Sequence, residues 1–152
     1  FSNQNRIILG YNKRNDLIFN LYKEYFPNTE IIEVDSSTAE MVKYLVNCFL
    51  ATKVSFANEM KLFCDAKKIN YNDIIKIAIK DVRLGESHWQ VPGPDGKNGF
   101  GGSCFPKDIV SLIEQFKIAN VNSYVIKAAW QRNFDIDRPD HDWLKLKNRA
   151  VV

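Results

Sequence analysis

No proline or glycine interrupts the chain between Ser37 and Gly85. These are the two residues that most readily end a helix, so their absence over so long a stretch narrows what the chain can fold into. Residues 38–67 are predicted to form one continuous helix, ~45 Å long at 1.5 Å per residue. Ser37 and Glu40 have the spacing of a capping box at its start. A helix longer than about 25 residues in a globular protein usually bridges domains or packs against a second copy. A second, isoleucine-rich helix follows, with Asn72 as its cap, and runs through Val82 to a C-terminal stop at Gly85.

The flanks have a different texture. Residues 6–10 (RIILG) form a short apolar run suited to a buried strand, ended by Gly10. Residues 15–26 carry Leu17, Ile18, Leu21, Tyr22 and Tyr25 at helical spacing, with Asn15 placed to cap and Pro27 to stop. Residues 30–34 read as a second strand. Strand–helix–strand is the pattern of a parallel sheet, but two strands are too few to stand alone, so a larger domain is expected upstream. Beyond the central helices lies a Gly/Pro loop over 85–103. A helix then runs to about Ala119 with Pro106 in its first turn, and another runs from Ser123 to near Asp137. The closing RAVV reads as the start of a further strand. The first residue, Phe1, is not a start methionine, so the sequence reads as the middle of a longer polypeptide.

Composition removes several classes of function. With 45% apolar and 26% charged residues the chain is globular, and a net charge of +3 with scattered lysines does not point to nucleic acid. Three cysteines without a CxxC pair, and only His88 and His141 beside them, argue against a disulfide framework or a metal site. A reducing compartment, the cytoplasm, is the expected home. Every apolar run is broken well before the length of a bilayer span.

Chemistry is concentrated in Gly99-Phe100-Gly101-Gly102-Ser103-Cys104-Phe105-Pro106-Lys107-Asp108. The glycines let the backbone approach a ligand closely. Cys104 falls at the start of a helix, where free N–H groups and the positive dipole end stabilise negative charge on sulfur. Lys107 adds a cation in the first turn. Asp108, one turn on, can hold a water or a lysine. A structural cysteine packed beside a glycine turn has the same sequence pattern, and Cys48 and Cys64, spaced among apolar residues, read as such. On the long helix Lys43 and Asn47 are four residues apart and so share a face, to which Asn58 nearly returns. Lysine with an amide suits an oxyanion, although a snorkelling lysine and a solvated asparagine fit the same spacing and are favoured on spacing alone.

Taken together, KYLVNCFLATKVSFANEMKLFCDA and GFGGSCFPKD resemble the central region of the UDP-glucose/GDP-mannose dehydrogenase family. The resemblance covers about residues 5–152. It implies a mainly α central domain over 37–138, whose long helix forms a homodimer core. Residues 1–36 would be the tail of a Rossmann-like NAD-binding domain, and 139–152 a linker and the start of a UDP-binding domain. It also implies oxidation of a sugar C6 alcohol to a carboxylate with two NAD⁺. By position, Cys104 matches the nucleophile, Lys43 and Asn47 the oxyanion pair, and Asp108 the carboxylate that positions water. Lys107 matches a residue that reaches the dinucleotide. Gly99, Phe100 and Gly101 match the loop around the sugar nucleotide, and Arg83 an arginine sent across the dimer interface. His88 and Lys97, in a loop longer than usual, are placed as diphosphate contacts or as solvated loop residues. FLATKVSFANEM and FPKD lean towards UDP-glucose as substrate, with GDP-mannose the nearest alternative and a UDP-N-acetylmannosamine more distant. The glycine-rich NAD fingerprint and the glutamate of the first domain are absent from the sequence. The isolated chain is therefore expected to be inactive, and an inactive helical dimerisation module is the alternative from another class.

Overall fold

The computed structural model describes residues 5–13 and 16–146, and divides into two compact units, Phe1–Leu45 and Val46–Val152. Asn15 and the RAVV segment lie outside the described residues. In the first unit, β1 (Arg6–Tyr11) is followed by α1 (Asp16–Tyr25) and β2 (Glu30–Asp35). The strands pair in parallel, Ile7 opposite Ile31 and Gly10 opposite Val34, so the first strand runs through Gly10 rather than ending there. Helix α1 stops two residues before Pro27, which has no N–H to continue it.

Helix α2 spans Ser36–Ala66 without a break, as the missing breakers require. Its start differs from the capping-box expectation. Asp35 is the cap: its carboxylate accepts the Thr38 N–H at 2.9 Å and the Thr38 hydroxyl at 2.6 Å. A carboxylate that takes two donors outcompetes the Ser37 hydroxyl, and Ser37 lies inside the helix.

The second unit contains the rest of α2, then α3 (Tyr71–Ala78), α4 (Cys104–Ile118) and α5 (Tyr124–Arg132). Asn70, not Asn72, caps α3, and its side chain accepts the Asn72 N–H at 3.0 Å. The helix is shorter than the sequence suggests because Asp81 takes the Arg83 N–H with its own carboxylate and opens a separate 3₁₀ turn, Val82–Leu84. Gly85 ends that turn with φ at +61°. Helices α4 and α5 pack together, and α5 passes into a π-helical turn, Asn133–Asp137. One part of the core joins Ala57, Cys64 and Tyr71 to Met60, Ile75 and Trp89. Another is aromatic: Trp130 lies 5.4 Å from Trp143 and 6.3 Å from Phe100 between ring centroids. The architecture is mainly α with a short α/β segment at its N-terminal side, as read from the sequence.

Candidate active site

A cleft of about 540 Å³ opens in the second unit, walled by Val54, His88, Gly101, Gly102, Phe105 and Arg138, among others. The loop over 85–103 builds most of it, and two buried polar side chains of α2, Lys53 and Asn58, help to hold that loop. Lys53 donates from Nζ to the Leu84 carbonyl at 2.7 Å and to that of Gly85 at 3.3 Å, with its ammonium 4.6 Å from the centre of the Trp89 ring. Trp89 donates in turn to the Gly85 carbonyl at 2.9 Å. Asn58 accepts the Gly99 N–H at 3.2 Å. Ser55 donates to the Ala129 carbonyl at 3.0 Å, tying α5 to the same helix.

From Gly99 onward a second set takes over. Asn133, fully buried, accepts the Phe100 N–H at 2.7 Å and donates to the Phe100 carbonyl at 3.0 Å. Arg138, also buried, grips Asp142 with two N–H groups at 2.8 and 2.7 Å and reaches Asp95 at 2.5 Å. Those carboxylates hold its guanidinium well above the ordinary arginine range, and the guanidinium holds Asp142 far below the ordinary carboxylate range. Gly101 has no room for a side chain, since a Cβ there would stand 2.5 Å from Arg138 Cζ.

Cys104 is the first residue of α4, exposed, and flanked in sequence by Gly102 and Phe105 of the cleft wall. One turn further on, Asp108 is fully buried. It accepts Asn47 Nδ2 at 2.6 Å, and the Lys107 ammonium sits on its other oxygen. Asn47 and Asp108, far apart in sequence, are thus brought together directly beneath the first turn of α4. Cys48 and Cys64 are buried; burial first, and the Asp108 charge second, push the Cys48 thiol up to about 11. This separates the three cysteines as the sequence reading did.

The remaining candidates are more dispersed. Lys43 belongs to the first unit, one turn before Asn47 along α2, with its ammonium 5.7 Å from the centre of the Tyr44 ring. Arg83 is exposed and paired with Asp81 at 2.5 Å. Lys97 is held by Asp140 at 2.5 Å and Asp142 at 3.0 Å, so two carboxylates already offset its charge. His88 does line the cleft. Its backbone is left-handed, with φ at +67°, its ring lies 5.8 Å from that of Phe105, and its buried Nδ1 has no hydrogen-bond partner among the described residues. Burial first, and the Lys53 charge second, lower its pKa, so the neutral imidazole is favoured. Sequence reasoning missed Lys53, Asn133 and Arg138. The dense polar run NFDIDRPDHD was the one signal for Asn133 and Arg138, because so many polar groups around a proline need partners; Lys53 had none.

The profile of the UDP-glucose/GDP-mannose dehydrogenase family, central domain, matches residues 37–135. The chain belongs to this family. It is 35% identical to the UDP-glucose 6-dehydrogenase of Rickettsia bellii (strain RML369-C), over 97% of this chain and 35% of that protein. With the UDP-glucose 6-dehydrogenase of Pseudomonas aeruginosa it shares 33% identity over 88% of this chain and 29% of that protein. The chain thus spans about a third of the length of these curated relatives. Its fold matches that of a UDP-glucose dehydrogenase from the hyperthermophilic archaeon Pyrobaculum islandicum, with a TM-score of 0.72 and 27% identity over 85% of this chain and 29% of that one.

Proposed function

We propose that this family member supplies the central, sugar-side part of an NAD-dependent nucleotide-sugar 6-dehydrogenase acting on UDP-glucose. The observation that carries the proposal is Cys104, exposed beside a cleft at the start of α4, with the Asn47–Asp108 pair fixed one turn behind it. The names of the relatives, with FLATKVSFANEM and FPKD, support UDP-glucose over GDP-mannose, and the Phe-Gly-Gly-Ser order disfavours a UDP-N-acetylmannosamine.

Cys104 Sγ adds to the C6 aldehyde carbon, and its proton leaves as the carbonyl oxygen becomes the hydroxyl of a thiohemiacetal. Loss of hydride from C6 and of the hydroxyl proton gives a thioester. Water adds to the thioester carbonyl, and collapse of the adduct expels the Cys104 sulfur and releases the carboxylate. Asn47 and Lys43 stabilise negative charge on the substrate oxygen along this path, and Asp108 orients the water. His88, Gly99, Phe100 and Gly101 line the sugar-nucleotide side, with Lys97 at its edge and Arg83 reaching a second copy. When bound, NAD⁺ would supply the hydride acceptor for the two oxidations, the first being alcohol to aldehyde. Among the described residues the first unit has a single glycine, Gly10, inside a strand, so no phosphate-cradling turn is present there. Lys107 is the candidate contact for the dinucleotide. Residues 1–152 alone are therefore expected to show no saturable NAD⁺ binding in calorimetry.

The deciding experiment is made on the whole enzyme. Cys104→Ser should abolish formation of the UDP-sugar carboxylate while UDP-glucose still binds. Iodoacetamide with mass mapping should label Cys104 at least about tenfold faster than Cys48 or Cys64. Normal turnover of Cys104→Ser sinks the proposal.

A further inference from the structure

Between Phe100 and Cys104 lie Gly101, Gly102 and Ser103. Adjacent glycines have the largest conformational freedom of any dipeptide, so an unrestrained segment would let the sulfur wander relative to the cleft. The segment is held from both ends. On the α4 side, Asp108 is buried and bonded to Asn47 at 2.6 Å. On the other side, Asn133 accepts from the Phe100 N–H at 2.7 Å and donates to its carbonyl at 3.0 Å, fixing the residue as a neighbouring strand would.

The shape of the loop follows from this hold. A Cβ on Gly99 would stand 2.3 Å from Asn133 Oδ1, so the loop can lie on the asparagine only without a side chain there. Asn133 is fully buried and does not line the cleft, so it can act only through the loop it holds. It also opens the π-helical turn Asn133–Asp137, a rare geometry that recurs at functional positions.

We propose that Asn133 is a positioning residue for Cys104, setting where the sulfur stands through its two-point hold on Phe100. This rests on the reading of Cys104 as the nucleophile. Attack needs the reacting atoms aligned, and a misplacement of about 1 Å costs on the order of 100-fold in rate. Asn133→Asp keeps the volume and the acceptor for the Phe100 N–H, but turns a second oxygen towards the Phe100 carbonyl.

The test uses the whole enzyme with UDP-glucose and NAD⁺. In Asn133→Asp, kcat should fall about 100-fold while KM for UDP-glucose stays within about threefold, because Val54, His88 and Phe105 still form the other walls. Cys48 and Cys64 should remain protected from iodoacetamide, which reports an intact fold. If that variant does not fold, Asn133→Ser, which keeps one hydrogen-bonding group, should show the same split to a smaller degree. A kcat within about threefold of wild type in a native variant overturns the inference. So does a loss of activity that only follows the fraction of unfolded protein. If Cys104→Ser turns over normally, the nucleophile reading fails and the inference falls with it. If Cys104→Ser is inactive and Asn133→Asp is not impaired, only the inference falls.

Discussion

Lys53, Ser55 and Asn58 are buried within the second unit, whereas Phe49, Phe56 and Phe63 of the same helix are 66%, 54% and 54% exposed. A surface helix ordinarily does the reverse. The difference teaches what each set is for. A buried polar group is costly unless paired, so each inward side chain works only with its partners in place. Those partners are the loop backbone at Leu84, Gly85 and Gly99 and the α5 carbonyl of Ala129. The outward phenylalanines recur every seven residues and impose no such geometry, but a contiguous apolar stripe favours being covered. We propose that a second copy covers it, giving the two-fold homodimer expected from the sequence.

The largest effect should come from breaking the outer stripe. Phe49→Glu with Phe63→Glu should weaken self-association by at least about 100-fold, since charges would be buried without partners. Light scattering across a dilution series would read this, with the melting temperature of the monomer hardly changed. Association that survives both substitutions would show that the stripe is not the interface. A smaller effect, but on stability, is expected from Asn47→Leu. It removes a hydrogen bond to the buried Asp108 carboxylate and should cost about 1.5–3 kcal/mol in urea unfolding. An unchanged midpoint would mean that the inward polar contacts do not fix the structure as argued.

The smallest effect is a pH dependence. The pKa of His88 is lowered in the fold, mainly by burial and secondarily by Lys53, so the unfolded chain takes up the proton more readily. Its contribution is therefore fully present above about pH 6.5 and is lost as pH falls through the lower folded value. His88→Asn should flatten the loss of stability between neutral and mildly acidic pH, measured as the shift in unfolding midpoint. Lys53→Met should move the His88 titration in NMR upward by less than the full depression, because burial is the larger cause. No movement would mean that the inward lysine is electrically irrelevant to the cleft.

Local patterns were legible where the physics is local. The absence of breakers revealed α2, and the glycine loop ahead of Cys104 and Pro106 marked the start of α4. The caps were misassigned by two residues because Asp35 and Ser37, or Asn70 and Asn72, offer competing acceptors whose geometry only the fold decides. The resemblance marked Asn47 as a candidate, but its bond to Asp108 spans 61 positions and has no periodicity to betray it. For Asn133 and Arg138 the polar run around them was the only sign, because the Phe100 backbone and Asp95 lie 33 and 43 positions away.

The hold on Phe100 also has a place in time. Asn133 follows Phe100 by 33 residues, so at a synthesis rate of roughly 5–20 residues per second it leaves the ribosome some seconds later. Over that interval the nascent chain already carries the Cys104 thiol, yet nothing holds Phe100 from the far side. Arg138 comes later still. The cleft is therefore completed only once the residues after α5 have emerged. A ribosome stalled before that point displays a helix with its cysteine but no shaped cleft beside it.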